Sequence, residues 1–345
     1  MRGRTIVQGS EALEGLVFKD RLGKTEVAAL RQRAFEYQQL HQNEWNSKIF
    51  KAYSQYFGFL TALKVRSVLE EMLQENLLSS YPEGLDLWDI GAGALGATLG
   101  ATDFFKERVT KIHQVHAIDL DTKPTQWAAR EFTEFLPPIS ITQHWNIERS
   151  ERPQLYILCD VLNETSMDQG EELVGHIARL LSSLRPSDRL IIIEPATKVI
   201  NQRLLAYRDT LLSEPSRKYR LLLPCTHEKP CPAREQREWC HEEREFRAPQ
   251  AFWTLVQHLG FERRSLVFSQ LVFGGEEAKF KPLDARVVSR NLKSKGKVEK
   301  WLCADGKRWK ARLLKRHKNE ETAETYEAPR GTILDCHSTG LLPPE

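Results

Sequence analysis

No stretch of this 345-residue sequence holds the roughly 18–20 consecutive apolar residues that a membrane-crossing helix needs, so no membrane anchor is expected. The opening MRGRTIVQGSEALEG leads into no apolar core of the kind a secretory signal carries. A cytoplasmic, reducing setting follows as the expectation, and it disfavours disulfides. No internal repeat and no low-complexity tract interrupts the chain. Apolar residues at 41% and charged ones at 28% describe a globular protein with a large core, long enough for two or three domains. Cysteine is scarce, at six residues, and its distribution is uneven.

Three of the six, Cys225, Cys231 and Cys240, fall in LLLPCTHEKPCPAREQREWCHEE. Pro224, Pro230 and Pro232 keep this stretch out of helix and central strand, so the thiols sit on a stiff loop. Such a loop can aim several sulfurs at one point, as a metal or an iron–sulfur cluster requires. Zinc sites usually use closer Cys pairs, and these wider spacings suit a larger cluster at least as well. A fourth ligand is then needed. His241 adjoins Cys240, and adjacent side chains seldom point the same way. Cys303 is the stronger choice and Cys336 the competitor. Cys159 lies within an apolar run and reads as a small buried hydrophobe.

The segment LDLWDIGAGALGATLGATDFF reads as a strand at 85–90, a glycine turn, and a helix at 97–105. Glycines let a backbone turn sharply and approach a ligand closely. A nucleotide-binding βαβ unit places an acidic residue on the next strand for ribose hydroxyls. Asp119 in QVHAIDLD occupies that place, with Asp121 behind it. The form Asp89-Ile-Gly-Ala-Gly resembles motif I of class I S-adenosylmethionine (SAM) methyltransferases. The register Gly91, Gly93, Gly96 also fits a dinucleotide fingerprint, and a purely structural turn is the third option.

Further strands are expected at 138–144, 155–161 and 189–194, with a helix at 170–184 between the last two. Short β-branched runs alternating with helices indicate an α/β, doubly wound parallel sheet, which binds ligands at the carboxyl ends of its strands. Gly91, Asp119, the Trp145-Asn146 pair and Asp160 should surround that crevice. Helical periodicity at 25–42 and 45–77 marks an N-terminal helical region, residues 1–78. The methyltransferase-like core is expected at 79–275, with its cysteine-rich loop at 222–245.

A basic β-module and tail should fill 276–345. The net charge of +3 hides an asymmetry: residues 279–318 hold fifteen Lys or Arg against three acids. A basic block beside an acidic body is the electrostatic footprint of a nucleic-acid-binding protein. ARVVSRNL, KVEKWLCA and RWKARLLKR read as strands joined by Lys295-Gly296 and Asp305-Gly306 turns. Arg290, Lys293, Lys295, Lys297, Lys307, Arg308 and Lys310 are the candidate phosphate contacts, with Trp301 and Trp309 placed to stack on bases or to fill a small core. Cys303 lies in this module, where a metal would staple it to the core.

Together, LWDIGAGALGAT, DVLNE at 160–164, EPATK at 194–198, PCTHEKPCPAREQREWCH and RVVSRNLKSKGKVEKWLCADG resemble the methyltransferase-like family of mitochondrial small ribosomal subunit proteins and its bacterial relatives. The resemblance implies a class I SAM-methyltransferase fold and a [4Fe–4S] cluster on Cys225, Cys231, Cys240 and Cys303. It also implies action on the small ribosomal subunit and its rRNA, and the chain is expected to be a monomer. On the resemblance and the motif positions, Asp89, Gly91, Gly93, Gly96, Asp119, Asn146 and Asp160 form the cofactor set. The family often ends in a Trp-Gly-Asp-like segment where this chain has Ala328-Pro-Arg-Gly-Thr.

Catalysis is less legible. The segment after the fourth strand lacks the Asn/Asp-Pro-Pro-aromatic run of amino-adenine methylation. The Pro-Cys pairs at 224–225 and 230–231 lie beyond the reach expected of a cytosine-5 nucleophile. Asp160 and Glu164 remain as candidate proton acceptors. Three readings follow: a SAM-binding assembly factor, an active rRNA methyltransferase, and a zinc-stabilised RNA-binding protein with a vestigial pocket.

Overall fold

The computed structural model describes residues 6–20, 22–35, 47–78, 81–277, 285–320, 322–335 and 341. Cys336, Lys279 and Lys281 lie outside the described residues. Backbone contacts group the chain into two units, Ile6–Val161 with Arg244–Leu266, and Leu162–Glu243 with Val267–Glu345.

The first unit begins with helices α1 (Glu11–Val17), α2 (Lys24–Phe35), α3 (Ser47–Tyr53) and α4 (Phe59–Gln74). The single helix expected over 45–77 is divided: a π-helical turn, Ser54–Gly58, separates α3 from α4. Then come β1 (Leu85–Ile90), α5 (Gly96–Lys106), β2 (Ile112–Ile118), α6 (Thr122–Glu131), β3 (Ile139–Thr142) and β4 (Gln154–Cys159). The order is β3-β2-β1-β4, all parallel. Ile90 pairs with both Ile118 and Leu158, so the carboxyl ends of three strands lie level. Every residue of β1 and β4 is buried, as strands covered on both faces must be.

In the second unit a short 3-10 turn, Leu162–Glu164, precedes α7 (Met167–Ser182). That helix starts three residues before the expected Gly170, because Ser166 and Gln169 form a capping box. Next are β5 (Arg189–Pro195), α8 (Lys198–Leu212), β6 (Tyr219–Leu223), α9 (Pro232–Glu235) and β7 (Glu242–Arg244). Helix α10 (Gln250–Leu259) belongs to the first unit, where Phe252 stacks on Tyr56 at 5.8 Å. Strand β8 (Leu266–Gly275) then runs antiparallel between β5 and β6.

The carboxyl-terminal part is a separate antiparallel sheet of β9 (Ala285–Val287), β10 (Leu292–Ser294), β11 (Lys297–Ala304) and β12 (Lys307–Leu314), with α11 (Ala323–Glu327) and β13 (Ile333–Leu334). The strand expected across ARVVSRNL is split into β9 and β10. There the Ser289 hydroxyl, rather than a backbone carbonyl, accepts the Trp301 amide at 2.8 Å. Leu302, Trp309, Ala311 and Val287 form the module's core. The fold is therefore α/β, with a parallel-rich sheet and a second, antiparallel one. Among the described residues no helix is long and apolar enough to cross a membrane.

Candidate cofactor turn and cysteine centre

The turn after β1 is built around two glycines in left-handed conformation. Gly91 has φ +75°, and a Cβ there would stand 2.4 Å from the Val161 Cγ2 atom. Gly93 has φ +46° and open space where a Cβ would be. The Asp119 carboxylate reaches across from the end of β2, accepting the Gly93 N–H at 2.7 Å and the Asp121 N–H at 3.0 Å. Burial pushes the Asp119 carboxyl up, and the Gly93 amide works against that shift. Asp121 is the N-cap of α6, accepting the Lys123 N–H.

Asp89 is fully buried and accepts the Thr98 hydroxyl at 2.6 Å and the Thr98 N–H at 3.0 Å. It braces β1 to the first turn of α5, acting on the glycine turn from behind. Burial raises its carboxyl to about 7. Gly96 is the first residue of α5. Asp160 stands just past β4 with φ +60°, a left-handed conformation that Asp tolerates better than most non-glycine residues. Its carboxylate is paired with the Lys64 ammonium of α4 at 2.7 Å. Asn146 is exposed beyond β3, its amide donating to Glu148 at 3.3 Å. Glu164 is exposed on the 3-10 turn of the second unit.

Asp89, Gly91, Gly93, Gly96, Asp119 and Asp160 thus gather at the carboxyl ends of β1, β2 and β4. Two residues here were not legible in the sequence. Lys64 is one of many helical lysines, and Leu120, 86% exposed directly after Asp119, offers an apolar surface beside the turn. An apolar residue just after the strand-ending acid was the available signal for Leu120.

The second unit brings Cys225, Cys231, Cys240 and Cys303 into one neighbourhood. Burial raises the Cys303 thiol well above its usual range, and the charges of Cys225, Cys240 and Cys231 add to the effect. Burial likewise lifts Cys231 to about 11 and Cys240 to about 12. None of these four is in a disulfide. The Cys303 Sγ lies 3.6 Å from the His227 Nε2. Among the described residues, no three His, Cys, Asp or Glu side chains are arranged as metal ligands. Cys159 is a buried thiol at the end of β4, outside any disulfide, with its Sγ 3.8 Å from the Asp160 Oδ2.

The basic module presents a two-sided ribbon. On β12, Trp309, Ala311 and Leu313 point inward, while Lys310 and Arg312 are exposed. The Arg308 guanidinium lies 4.7 Å from the Trp301 ring and the Lys310 ammonium 5.5 Å from it. Trp301 is therefore flanked by cations, whereas Trp309 fills the core. Several basic residues have carboxylate partners: Arg290 with Glu243, Lys293 with Glu327 at 3.2 Å, and Lys297 with Glu299 at 2.9 Å. Lys295 and Lys307 are exposed. Lys300 is fully buried, donating to the Thr325 and Ala328 carbonyls at 2.6 and 3.1 Å, and burial lowers its ammonium to about 8.

A parallel α/β sheet with a glycine turn at the carboxyl end of its first strand is an architecture that many nucleotide-binding proteins share. The chain belongs to the family described as mitochondrial small ribosomal subunit Rsm22, whose model matches residues 50–332. No curated protein matches it. Among solved structures it is similar to a SAM-dependent methyltransferase from Clostridium acetobutylicum, at 13% identity over 86% of this chain and 84% of that one, with a TM-score of 0.30. The 16S rRNA methylase RmtB aligns at 12% identity over 76% and 79% of the two chains, with a TM-score of 0.34. A ribosomal protein L11 methylase from Lactobacillus delbrueckii aligns at 9% over 62% and 80%, with a TM-score of 0.32.

Proposed function

We propose that this chain is a SAM-binding, iron–sulfur-containing factor that acts on the small ribosomal subunit and its rRNA. The observation that carries the cofactor reading is the Asp119 carboxylate held against the Gly93 amide at 2.7 Å, at the level where β1, β2 and β4 end. A carboxylate at that position, beside a turn open enough for a ligand, supports the reading of Asp119 as the ribose contact. The ribosomal reading rests on family membership and on the cation-flanked Trp301.

Cys225, Cys231, Cys240 and Cys303 would be the four sulfur donors of a [4Fe–4S] cluster, and zinc would use the same donors. The nearness of the other three sulfurs to Cys303 and the absence of a disulfide among the four fit either group. When bound, the cluster supplies a cross-link between the cysteine loop and the basic module. The ion pair of Asp160 with Lys64 favours cofactor binding over a role for Asp160 as the base of an active methyltransferase.

Anaerobic purification, iron and sulfide analysis, calorimetry with S-adenosylhomocysteine, and co-sedimentation with small subunits test this reading together. A brown protein that binds the nucleoside and the subunit is expected. Tight NAD binding with none for S-adenosylhomocysteine would overturn the cofactor reading. A colourless protein holding one zinc and no iron would replace the cluster with zinc.

A further inference from the structure

One face of α8 carries the groups that hold the cysteine segment in shape. Asn201 is fully buried, its amide donating to the Cys240 carbonyl and its own carbonyl accepting the Cys240 N–H at 3.1 Å. Leu205, one turn on, packs with Cys231, Ala233 and Cys240. Arg208, one further turn on, donates to the His227 and Lys229 carbonyls at 2.9 and 3.1 Å, both between Cys225 and Cys231. Asp209 accepts the Cys231 N–H at 3.2 Å. Residues four, seven and eight positions apart share one helical face, so a single helix grips the segment at several points.

Arg208 does more than brace a loop. Its side chain is 0% exposed, and a charge taken fully out of water requires a compensating one. The carboxylate paired with it, Asp209 at 2.5 Å, also serves Arg234 at 3.2 Å. Its Nε finds no oxygen or nitrogen acceptor among the described residues. The Cys225 and Cys231 thiols lie within its electrostatic reach. Four thiolates around a metal leave a net negative charge, the complement of an under-neutralised guanidinium.

We propose that Arg208 is the built-in counter-charge of an anionic metal–thiolate centre at Cys225, Cys231, Cys240 and Cys303, with α8 shaping the loop before the metal arrives. This rests on reading the four cysteines as one metal site. Outer-sphere partners of this kind orient ligands and set how tightly the metal is held.

Cobalt(II), titrated anaerobically into the reduced, metal-free full chain and read by its thiolate charge-transfer absorption, tests the proposal. Arg208→Met should weaken cobalt binding by about tenfold or more, the usual scale for losing an outer-sphere partner. Arg208→Lys, which keeps the charge, should restore most of the affinity. Asp209→Asn removes a negative charge yet keeps an acceptor for the Cys231 amide, and should tighten binding. Opposite signs from adjacent residues are what a counter-charge requires, and loss of packing alone does not produce them. Equal affinity in all variants, or weaker binding in Asp209→Asn, would overturn the proposal. If Arg208→Met does not fold, the sign of the Asp209→Asn change decides. A wild-type chain with no charge-transfer band would instead remove the metal site itself, and the proposal with it.

Discussion

The carboxylate of Asp119 holds the amide of Gly93 at 2.7 Å, fastening the end of β2 to the turn after β1. One acid therefore shapes the turn, and on the proposed cofactor reading it also meets the ribose hydroxyls. A hydrogen bond to a charged group contributes roughly 1.5–3 kcal/mol, so Asp119→Ala should weaken binding of S-adenosylhomocysteine about tenfold or more by calorimetry. Asp121 already caps α6, so Asp121→Ala should change affinity far less while lowering thermal stability.

The two glycines should differ in their response to alanine. At Gly93 only the left-handed backbone opposes a side chain, a cost of about 1–2 kcal/mol. At Gly91 the added Cβ also meets the Val161 side chain, so Gly91→Ala should be the more destabilising of the two. Thermal melts of the two variants check the order.

Asp89 sets a pH dependence. Its folded carboxyl is raised from 3.8 to about 7, so between these values the native chain holds a proton that the unfolded chain has released. Stability is therefore highest below this window and falls as pH rises through it, by up to about 1.4 kcal/mol for each pH unit crossed. Asp89→Asn keeps an acceptor for Thr98 and carries no charge. It should melt above wild type at pH 8, with that advantage shrinking towards pH 4. An advantage independent of pH would count against this account.

Lys64 and Asp160 should behave as a coupled pair. Lys64→Met takes the ammonium away from a mostly buried carboxylate, at a cost of about 1–3 kcal/mol. Adding Asp160→Asn removes that carboxylate's charge, so the double variant should be more stable than Lys64→Met alone. A double-mutant cycle from denaturant melts measures the coupling.

RNA affinity should separate the basic residues by their partners. Each phosphate contact contributes about 0.7–0.9 to the slope of log affinity against log salt. Lys295→Gln with Lys310→Gln should flatten that slope by about 1.4–1.8 if both residues touch phosphate. Arg290→Gln with Lys293→Gln should flatten it less, because Glu243 and Glu327 already pair with them. Trp301→Ala should weaken binding to single-stranded more than to duplex RNA, since unpaired bases offer faces to stack on.

Much of the frame was legible because it is written in local pattern. The strand at 85–90, the glycine turn and the acid ending the next strand follow from short-range periodicity and backbone freedom, and these survive whatever packs around them. The division of the helix expected over 45–77 by a π-helical turn was not legible, because apolar spacing does not distinguish one added residue in a turn from a continuous helix. The split between β9 and β10 was hidden too, since it depends on a serine hydroxyl replacing one ladder bond.

The sequence by itself determined the α/β class, the glycine turn with its acid, and a basic β-module carrying a cysteine, because each is encoded within a few neighbouring residues. Only the tertiary structure decided which charges are spent internally. Asp89 turns to Thr98, Asp160 to Lys64, Arg290 to Glu243, Lys300 to two carbonyls and Arg208 to the cysteine loop. All of these partners but Thr98 are distant in sequence, and even Thr98 meets Asp89 only because a helix folds back on its strand. Burial and opposite charge, set by the fold, assign each ionic group to bracing or to binding.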